Sequence, residues 1–254
     1  DVESRRVQVA GFVVREHSAH PSHIGSESTL NDYLGFQGVS GLSGVDTRAI
    51  TRRLRSQGVM MGCVTSELSS QEALERVEAA PRYGDVDLVA TVSTEAVYRW
   101  EGSSDDGAEG DRTHIVVTDC GLKYNILRNL RSRGCAVTVV PVRMSAEEVL
   151  ALKPNGLVFS PGPGDPALLY YATQTVRLLV GEIPVMGICL GHQLVARALG
   201  ARTFKLKFGH RGGNHPVRDM TTGRVHITAQ NHGYAVDADS LPAGLEVSHV
   251  NLND

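Results

Sequence analysis

The stretch Ile183-Pro184-Val185-Met186-Gly187-Ile188-Cys189-Leu190-Gly191-His192-Gln193 (IPVMGICLGHQ, 183–193) decides the architecture. Its apolar opening, Ile183 to Met186 with Ile188, is the pattern of a strand buried in a parallel sheet. Gly187 and Gly191 bracket Ile188-Cys189-Leu190, and His192 to Leu199 continues at helical spacing to a stop at Gly200. The segment therefore reads as strand, tight turn and helix, with one thiol at the turn. So sharp a turn leaves no room for side chains at its flanks, which accounts for the glycines. The first N–H groups of the helix then point at the thiol. They and the helix dipole favour a negative charge, so the expectation is a Cys189 thiolate with a lowered pKa. Once a carbonyl is attacked, the same N–H groups can hold the oxyanion. A lone cysteine is commonly an inert small hydrophobe, and that reading suits Cys63, Cys120 and Cys135. Gly-X-Cys-X-Gly between a strand and a helix marks Cys189 as the nucleophile instead.

Upstream of the elbow, strands and helices alternate. Strands are expected at Ile115–Val117, Ala136–Val142 and Gly156–Phe159. Helices are expected at Asn125–Arg133, at Ala146–Leu152 behind a Ser145–Glu148 capping box, and at Leu168–Val180. This alternation with short loops specifies an α/β domain whose parallel sheet is flanked by helices on both faces. Sites in such sheets lie at the carboxyl ends of the strands, where Cys189 falls. The loop Ser160-Pro161-Gly162-Pro163-Gly164-Asp165-Pro166 leaves the same edge one strand earlier. Stiffened by three prolines, it is a candidate second oxyanion donor and substrate rail. Phosphate binding is the weaker alternative, because neither a Walker pair nor GxGxxG is present. After Gly200, strand-like pieces at Thr203–Phe208, Val217–Asp219, Arg224–Thr228 and Tyr234–Val236 are joined by Gly- and His-rich turns. Gln230-Asn231-His232-Gly233-Tyr234 is read as one of those turns. The Asn231 amide could pair with the charged end of an amino-acid substrate. His232 is either the partner of a Cys–His pair or a hydrogen-bonded structural histidine.

The first hundred residues show no chemistry. Val7–Val14 and Met60–Thr65 read as strands and Thr29–Phe36 as a short helix. Asp46 caps a helix over Thr47–Gln57 that ends at Gly58, and a Ser69–Glu72 capping box opens another helix. Leu88 to Trp100 reads as partly extended. Arg48, Arg52, Arg53 and Arg55 form a solvated face, with an acidic partner surface as the lesser reading. His17, His20 and His23 stand at three-residue steps, but Pro21 and Gly25 break any helix that would align them, so no metal site is expected. Gly102 to Arg112 (GSSDDGAEGDR) reads as a solvated connector. The domains are therefore placed at 1–101 and 113–254, with a linker over 102–112. Across all 254 residues, 41% are hydrophobic and the formal charge is −3, which gives no push toward nucleic acid or membrane. Four scattered cysteines without a Cys-x-x-Cys pair suit reduced thiols and a cytoplasmic location. Both ends, at Asp1 and Asp254, read as internal to a longer chain.

The elbow Gly187-Ile188-Cys189-Leu190-Gly191-His192-Gln193 resembles that of class I, triad-type glutamine amidotransferases. GPGDP at 162–166, KFGHRGGNHPV at 207–217 and QNHGYAVD at 230–237 narrow this to the family of small, glutamine-hydrolysing subunits of carbamoyl phosphate synthetase. VDTRAITRRLR at 45–55 and DCGLKYNILR at 119–128 are similar too, so the resemblance covers essentially the whole chain. It implies a flavodoxin-like amidotransferase domain preceded by a smaller, partial α/β domain. It also implies that Cys189 attacks the side-chain amide of glutamine, forming a glutamyl thioester and releasing ammonia. The N–H groups of Leu190 and Gly162 would line the oxyanion hole. Gly162, Gly164, Leu190, Gln193, Asn231, Gly233 and Tyr234 would hold the glutamine. Ammonia would pass to a large synthetase subunit or fused synthetase domain that makes carbamoyl phosphate from bicarbonate for arginine and pyrimidine synthesis. ATP and magnesium would sit there, with no cofactor or metal in this chain. The family's base is the His of a His-Pro-Glu motif, and none follows Tyr234. A glutamine-contacting serine of the family would lie upstream of Asp1. A catalytically silent subunit and a different class I amidotransferase are the alternatives.

Overall fold

The computed structural model describes residues 2–101 and 112–253. The expected linker, but for Arg112 at its end, lies outside the described residues. The chain divides into two compact units, Asp1–Asp85 and Val86–Asp254. The residues expected to close the first domain, 86–100, thus belong to the second unit. Their own contacts explain this. Tyr98–Arg99 (β3) pairs antiparallel with the strand Ala136–Pro141, Val89, which opens the short helix Val89–Val92 (α4), is fully buried in the second unit's core, and the Thr94 N–H donates to the Asp119 carboxylate.

In the first unit Gly11–Val13 (β1) pairs in parallel with Ser40–Leu42 (β2). The helices are Leu30–Phe36 (α1), Thr47–Gln57 (α2) and Ser70–Ala79 (α3). Local chemistry sets their ends. The Asp46 carboxylate accepts the Ala49 N–H at the start of α2, and Gly58, at φ 93°, ends it. At α3 the Ser69–Glu72 capping box closes in both directions. Residues Met60–Thr65, expected as a strand, form none, and Met60, Met61 and Val64 are exposed. An apolar run becomes a strand only with a partner edge, and this one has no ladder among the described residues. The three histidines at 17, 20 and 23 lie in an exposed loop.

The second unit is built on a sheet of order β3-β5-β4-β6-β7, with β4 His114–Asp119, β5 Ala136–Pro141, β6 Gly156–Phe159 and β7 Val185–Gly187. All its pairings except that of β3 are parallel. The helices between them are Tyr124–Ser132 (α5), Ala146–Ala151 (α6), Tyr170–Leu179 (α7) and Leu190–Ala198 (α8), each within two residues of its expected position, α8 starting directly after Cys189. The strand pleat sorts the core into two faces. Val116, Val140, Leu157 and Phe159 pack with α6, α7 and α8, while Val117, Val139 and Val158 pack with Leu127 of α5. From β4 the chain crosses to β5 on one side, then returns past β4 to β6 on the other. That reversal places the switch point of the fold between the carboxyl ends of β4 and β6. The arrangement is the expected flavodoxin-like sheet.

Beyond α8 the structure corrects the sequence reading. The four expected pieces are two long antiparallel strands, Thr203–Asp219 (β8) and Val225–Val236 (β9), with His249–Asn251 (β10) on the outer edge of β8. Gln230–Tyr234 is therefore strand, not turn. The register slips between Lys205 and His210 and again between Gly212 and His215. Gly209 and Gly212, at φ 75° and 136°, sit at these slips, and a Cβ at Gly209 would lie 2.3 Å from the His232 carbonyl oxygen. Glycines that suggest turns in the sequence are bulges in a continuous ribbon.

Candidate active site

Val185–Gly187 delivers the chain to the elbow, where Cys189 holds φ 53° and ψ −108°. A non-glycine residue in that region is strained, and only a surrounding structure that over-determines the turn keeps it there. The constraint is steric. A Cβ at Gly187 would fall 2.3 Å from the carbonyl carbon of Gly191, and one at Gly191 would fall 2.1 Å from the carbonyl oxygen of Phe159. Only glycine lets the first turn of α8 sit directly on the ends of β6 and β7. The Ile188 N–H continues the ladder to Phe159 O at 3.0 Å, and Gln193 N–H closes the first helical turn on Cys189 O at 3.1 Å.

The thiol is half-buried and its Sγ–H donates to the Asn231 carbonyl at 3.6 Å. The Leu190 N–H faces the sulfur, and Arg211 lies close enough for its charge to be felt there. Both pull the thiol pKa down, as the elbow argument requires. Burial outweighs them, and the net direction for Cys189 is up. This corrects the expectation of a thiolate favoured by the elbow alone. Low dielectric around the sulfur penalises the anion more than one N–H and a solvated guanidinium relieve it. Cys120 is pushed much further up by full burial and by the neighbouring Asp119 carboxylate, which leaves it inert. The sign decides a measurement. A raised pKa means less thiolate at pH 8 than in a free cysteine. Alkylation of the Cys189 peptide by iodoacetamide, followed by mass spectrometry, should therefore rise with an inflection above that of N-acetylcysteine. An inflection at or below the free thiol would mean that the N–H cradle prevails after all.

The residues expected to surround the sulfur fall into two groups. Gly162 stands against Leu190, since a Cβ on it would meet Leu190 Cδ2 at 2.7 Å and Cys120 O at 2.0 Å. On the other side the hairpin supplies Asn231 at the thiol, Gly233 next along, and buried Tyr234. Gln193, 5% exposed, ties α8 to that hairpin by donating its amide N–H to Tyr234 O at 2.7 Å. At Gly164, φ 89°, an added Cβ would point toward Val86 and Leu88. A cavity of about 840 Å³, lined in part by Cys189, Gln193, His210, Gln230, His232 and Tyr234, opens on the hairpin side of the thiol. That volume lies within the range of small-molecule sites.

Of the two readings of His232, the geometry favours the structural one. Its Nδ1 lies 2.8 Å from Tyr234 O, and its Nε2 lies 2.8 Å from Gln230 Oε1 and 3.1 Å from His210 Nδ1. Asn251 joins through His210 and Gln230, so both ring nitrogens of His232 are committed within the ribbon. Among the described residues no group of three or more His, Cys, Asp or Glu is arranged to hold a metal ion. Two site features escaped the sequence reading. Arg211 carries no signal in the sequence beyond its place in a Gly- and His-rich turn and in the matched stretch 207–217, yet it is the register partner of Asn231 and donates to His232 O at 2.9 Å. Asp119 ends β4 and had no visible signal beyond its place in a matched stretch.

A thiol on a strained strand-to-helix elbow, with the Leu190 N–H beside it at the edge of a parallel sheet, is an arrangement suited to acyl transfer by a cysteine nucleophile. Residues 116–254 match the class-I glutamine amidotransferase family, which gives the class. Residues 1–64 match the CPSase domain of the carbamoyl-phosphate synthase small chain. The chain is 48% identical to the chloroplastic carbamoyl phosphate synthase small chain of Oryza sativa subsp. japonica, covering all of this chain and 58% of that one. It is 47% identical to the small chain of Rhodopirellula baltica, covering all of this chain and 69% of that one, and 48% identical to that of Methanopyrus kandleri over 99% and 69%. This chain belongs to the carbamoyl phosphate synthase small-chain family. It spans between 58% and 69% of these three relatives. A glutamine amidotransferase from Thermotoga maritima, solved by crystallography, aligns at TM-score 0.43 and 19% identity over 55% of this chain and 67% of that one; at that score it adds nothing to the family match.

Proposed function

We propose that the protein hydrolyses glutamine as the small component of a carbamoyl phosphate synthase and hands the ammonia to an ATP-using synthetase. One observation carries this reading: Cys189 is held at φ 53° between two obligatory glycines, with the Leu190 N–H at its sulfur. In the proposed reaction the Cys189 sulfur attacks the side-chain carbonyl carbon of glutamine and a C–S bond forms. The developing oxyanion lies between the N–H groups of Leu190 and Gly162. Collapse breaks the C–N bond, the nitrogen takes up a proton and leaves as ammonia, and water then releases glutamate from the thioester. Because burial raises the pKa of the thiol, the reaction calls for a base to take its proton, a service typically worth about 10²–10⁴-fold. In the family that base is the His of His-Pro-Glu. Asn231, Gly233, Tyr234, Gln193 and Gly164 are the proposed contacts to the glutamine backbone, and Gln193 also stiffens the pocket wall through Tyr234.

Relatives named as small chains imply a large synthetase partner, which would hold the ATP and magnesium. The four free cysteines suit a reducing cytoplasm. Mixing the full-length protein with a carbamoyl phosphate synthetase large subunit and following glutamine-dependent carbamoyl phosphate tests the assignment. Glutamine-dependent product is expected. Glutaminase activity that feeds a different acceptor would indicate another amidotransferase, and no hydrolysis at all would indicate a silent subunit.

A further inference from the structure

The switch point between β4 and β6 holds a buried carboxylate that the proposed reaction does not use. Asp119, 8% exposed, is the last residue of β4. Its Oδ1 accepts N–H bonds from Gly121 at 3.0 Å and Leu122 at 2.8 Å, and its Oδ2 accepts the Thr94 N–H at 2.8 Å. Those bonds hold the turn after β4 in a shape that only glycine takes easily, with Gly121 at φ 129°. The turn is pressed against the loop after β6. A Cβ on Gly121 would lie 3.1 Å from both Gly162 Cα and Pro163 Cδ. Ser160, wholly buried, stitches the two together, accepting the Cys120 N–H at 2.9 Å and donating to Pro161 O at 3.0 Å. Gly162 in turn touches Leu190 beside the thiol.

We infer that Asp119 is a positioning residue for the oxyanion loop: by clamping the Gly121 turn against Gly162, it sets where the Gly162 N–H points. The inference rests on the proposed role of Gly162 and adds a residue more than forty positions away in sequence. A carboxylate suits the task because it accepts from both sides at once. An amide at this position would turn its NH₂ toward at least one of the three N–H donors, leaving a buried donor facing a donor.

The test uses the full-length protein with its synthetase partner. Asp119→Asn should lower kcat for glutamine hydrolysis by about 10–100-fold, the scale of a misplacement near 1 Å. The KM for glutamine and the rate of Cys189 alkylation by iodoacetamide should stay unchanged, because alkylation by direct displacement develops no oxyanion. Gly121→Ala presses on Gly162 from the same side without touching the carboxylate, and should give the same split. It carries the test alone if Asp119→Asn does not fold. Unchanged kcat in the folded variants would overturn the inference. So would a parallel fall in kcat and alkylation, which would mark a purely structural role. If Cys189→Ala still hydrolyses glutamine, the functional reading itself fails, and the inference with it.

Discussion

Cys189→Ala is expected to abolish glutamine-dependent synthesis, by roughly 10⁴-fold or more, while synthesis from free ammonia by the same complex survives. The size follows from what remains. Cys120 is buried and inert, Cys135 packs on the α5 side of the sheet, and Cys63 belongs to the first unit. His232, which lines the same cavity as the thiol, has both ring nitrogens committed within the ribbon. Alanine fits the elbow backbone no worse than cysteine, since the strain at φ 53° comes from having a Cβ and not from the sulfur. The variant should therefore fold, bind its partner and leave the ammonia-using step intact. Persistent glutamine-dependent synthesis in Cys189→Ala would show that another group is the nucleophile. Loss of both activities would point instead to a damaged complex.

What the sequence disclosed follows a physical division. Where a side chain fixes the backbone beside it, the reading and the structure coincide: Asp46 and Gly58 bound α2, and Ser69–Glu72 and Ser145–Glu148 open α3 and α6. The elbow belongs to the same kind, because its glycines are demanded by contacts within a few residues and with the adjacent strand. Legibility failed where distant neighbours decide. The ribbon of β8 and β9 looked like turns because its bulge glycines carry the same letters as turn glycines. Residues 60–65 had the apolar content of a strand and no edge to join. The direction of the Cys189 shift depended on how deeply the hairpin buries the sulfur, which no local pattern encodes. Asp119 gains its role from Thr94, Gly121 and Leu122, brought together only when β3 and β4 are in place.

The second large effect concerns a residue with no side chain. In Gly162→Ala the new Cβ would fall 2.0 Å from the Cys120 carbonyl oxygen and 2.8 Å from its carbon. Real Cβ contacts are never that short, and the obstacle is backbone at the end of a central strand, which cannot rotate away as a side chain can. The 160–164 loop must therefore lift off the β4 turn, carrying the Gly162 N–H with it. Overpacking of this kind costs about 1–3 kcal/mol, so the variant should fold with reduced thermal stability. The chemical loss should be larger. An oxyanion donor displaced by more than an ångström is in effect removed, which lowers kcat by about 10²–10³-fold. Gly213→Ala is the matching control. A Cβ there meets nothing within 4 Å, so stability and glutamine turnover should both stay at the parent level. A Gly162→Ala variant with unaltered kcat would mean that the loop after β6 contributes no hydrogen bond to the tetrahedral intermediate. Leu190 would then stand alone as the donor, and the clamp formed by Asp119 would have nothing catalytic to hold.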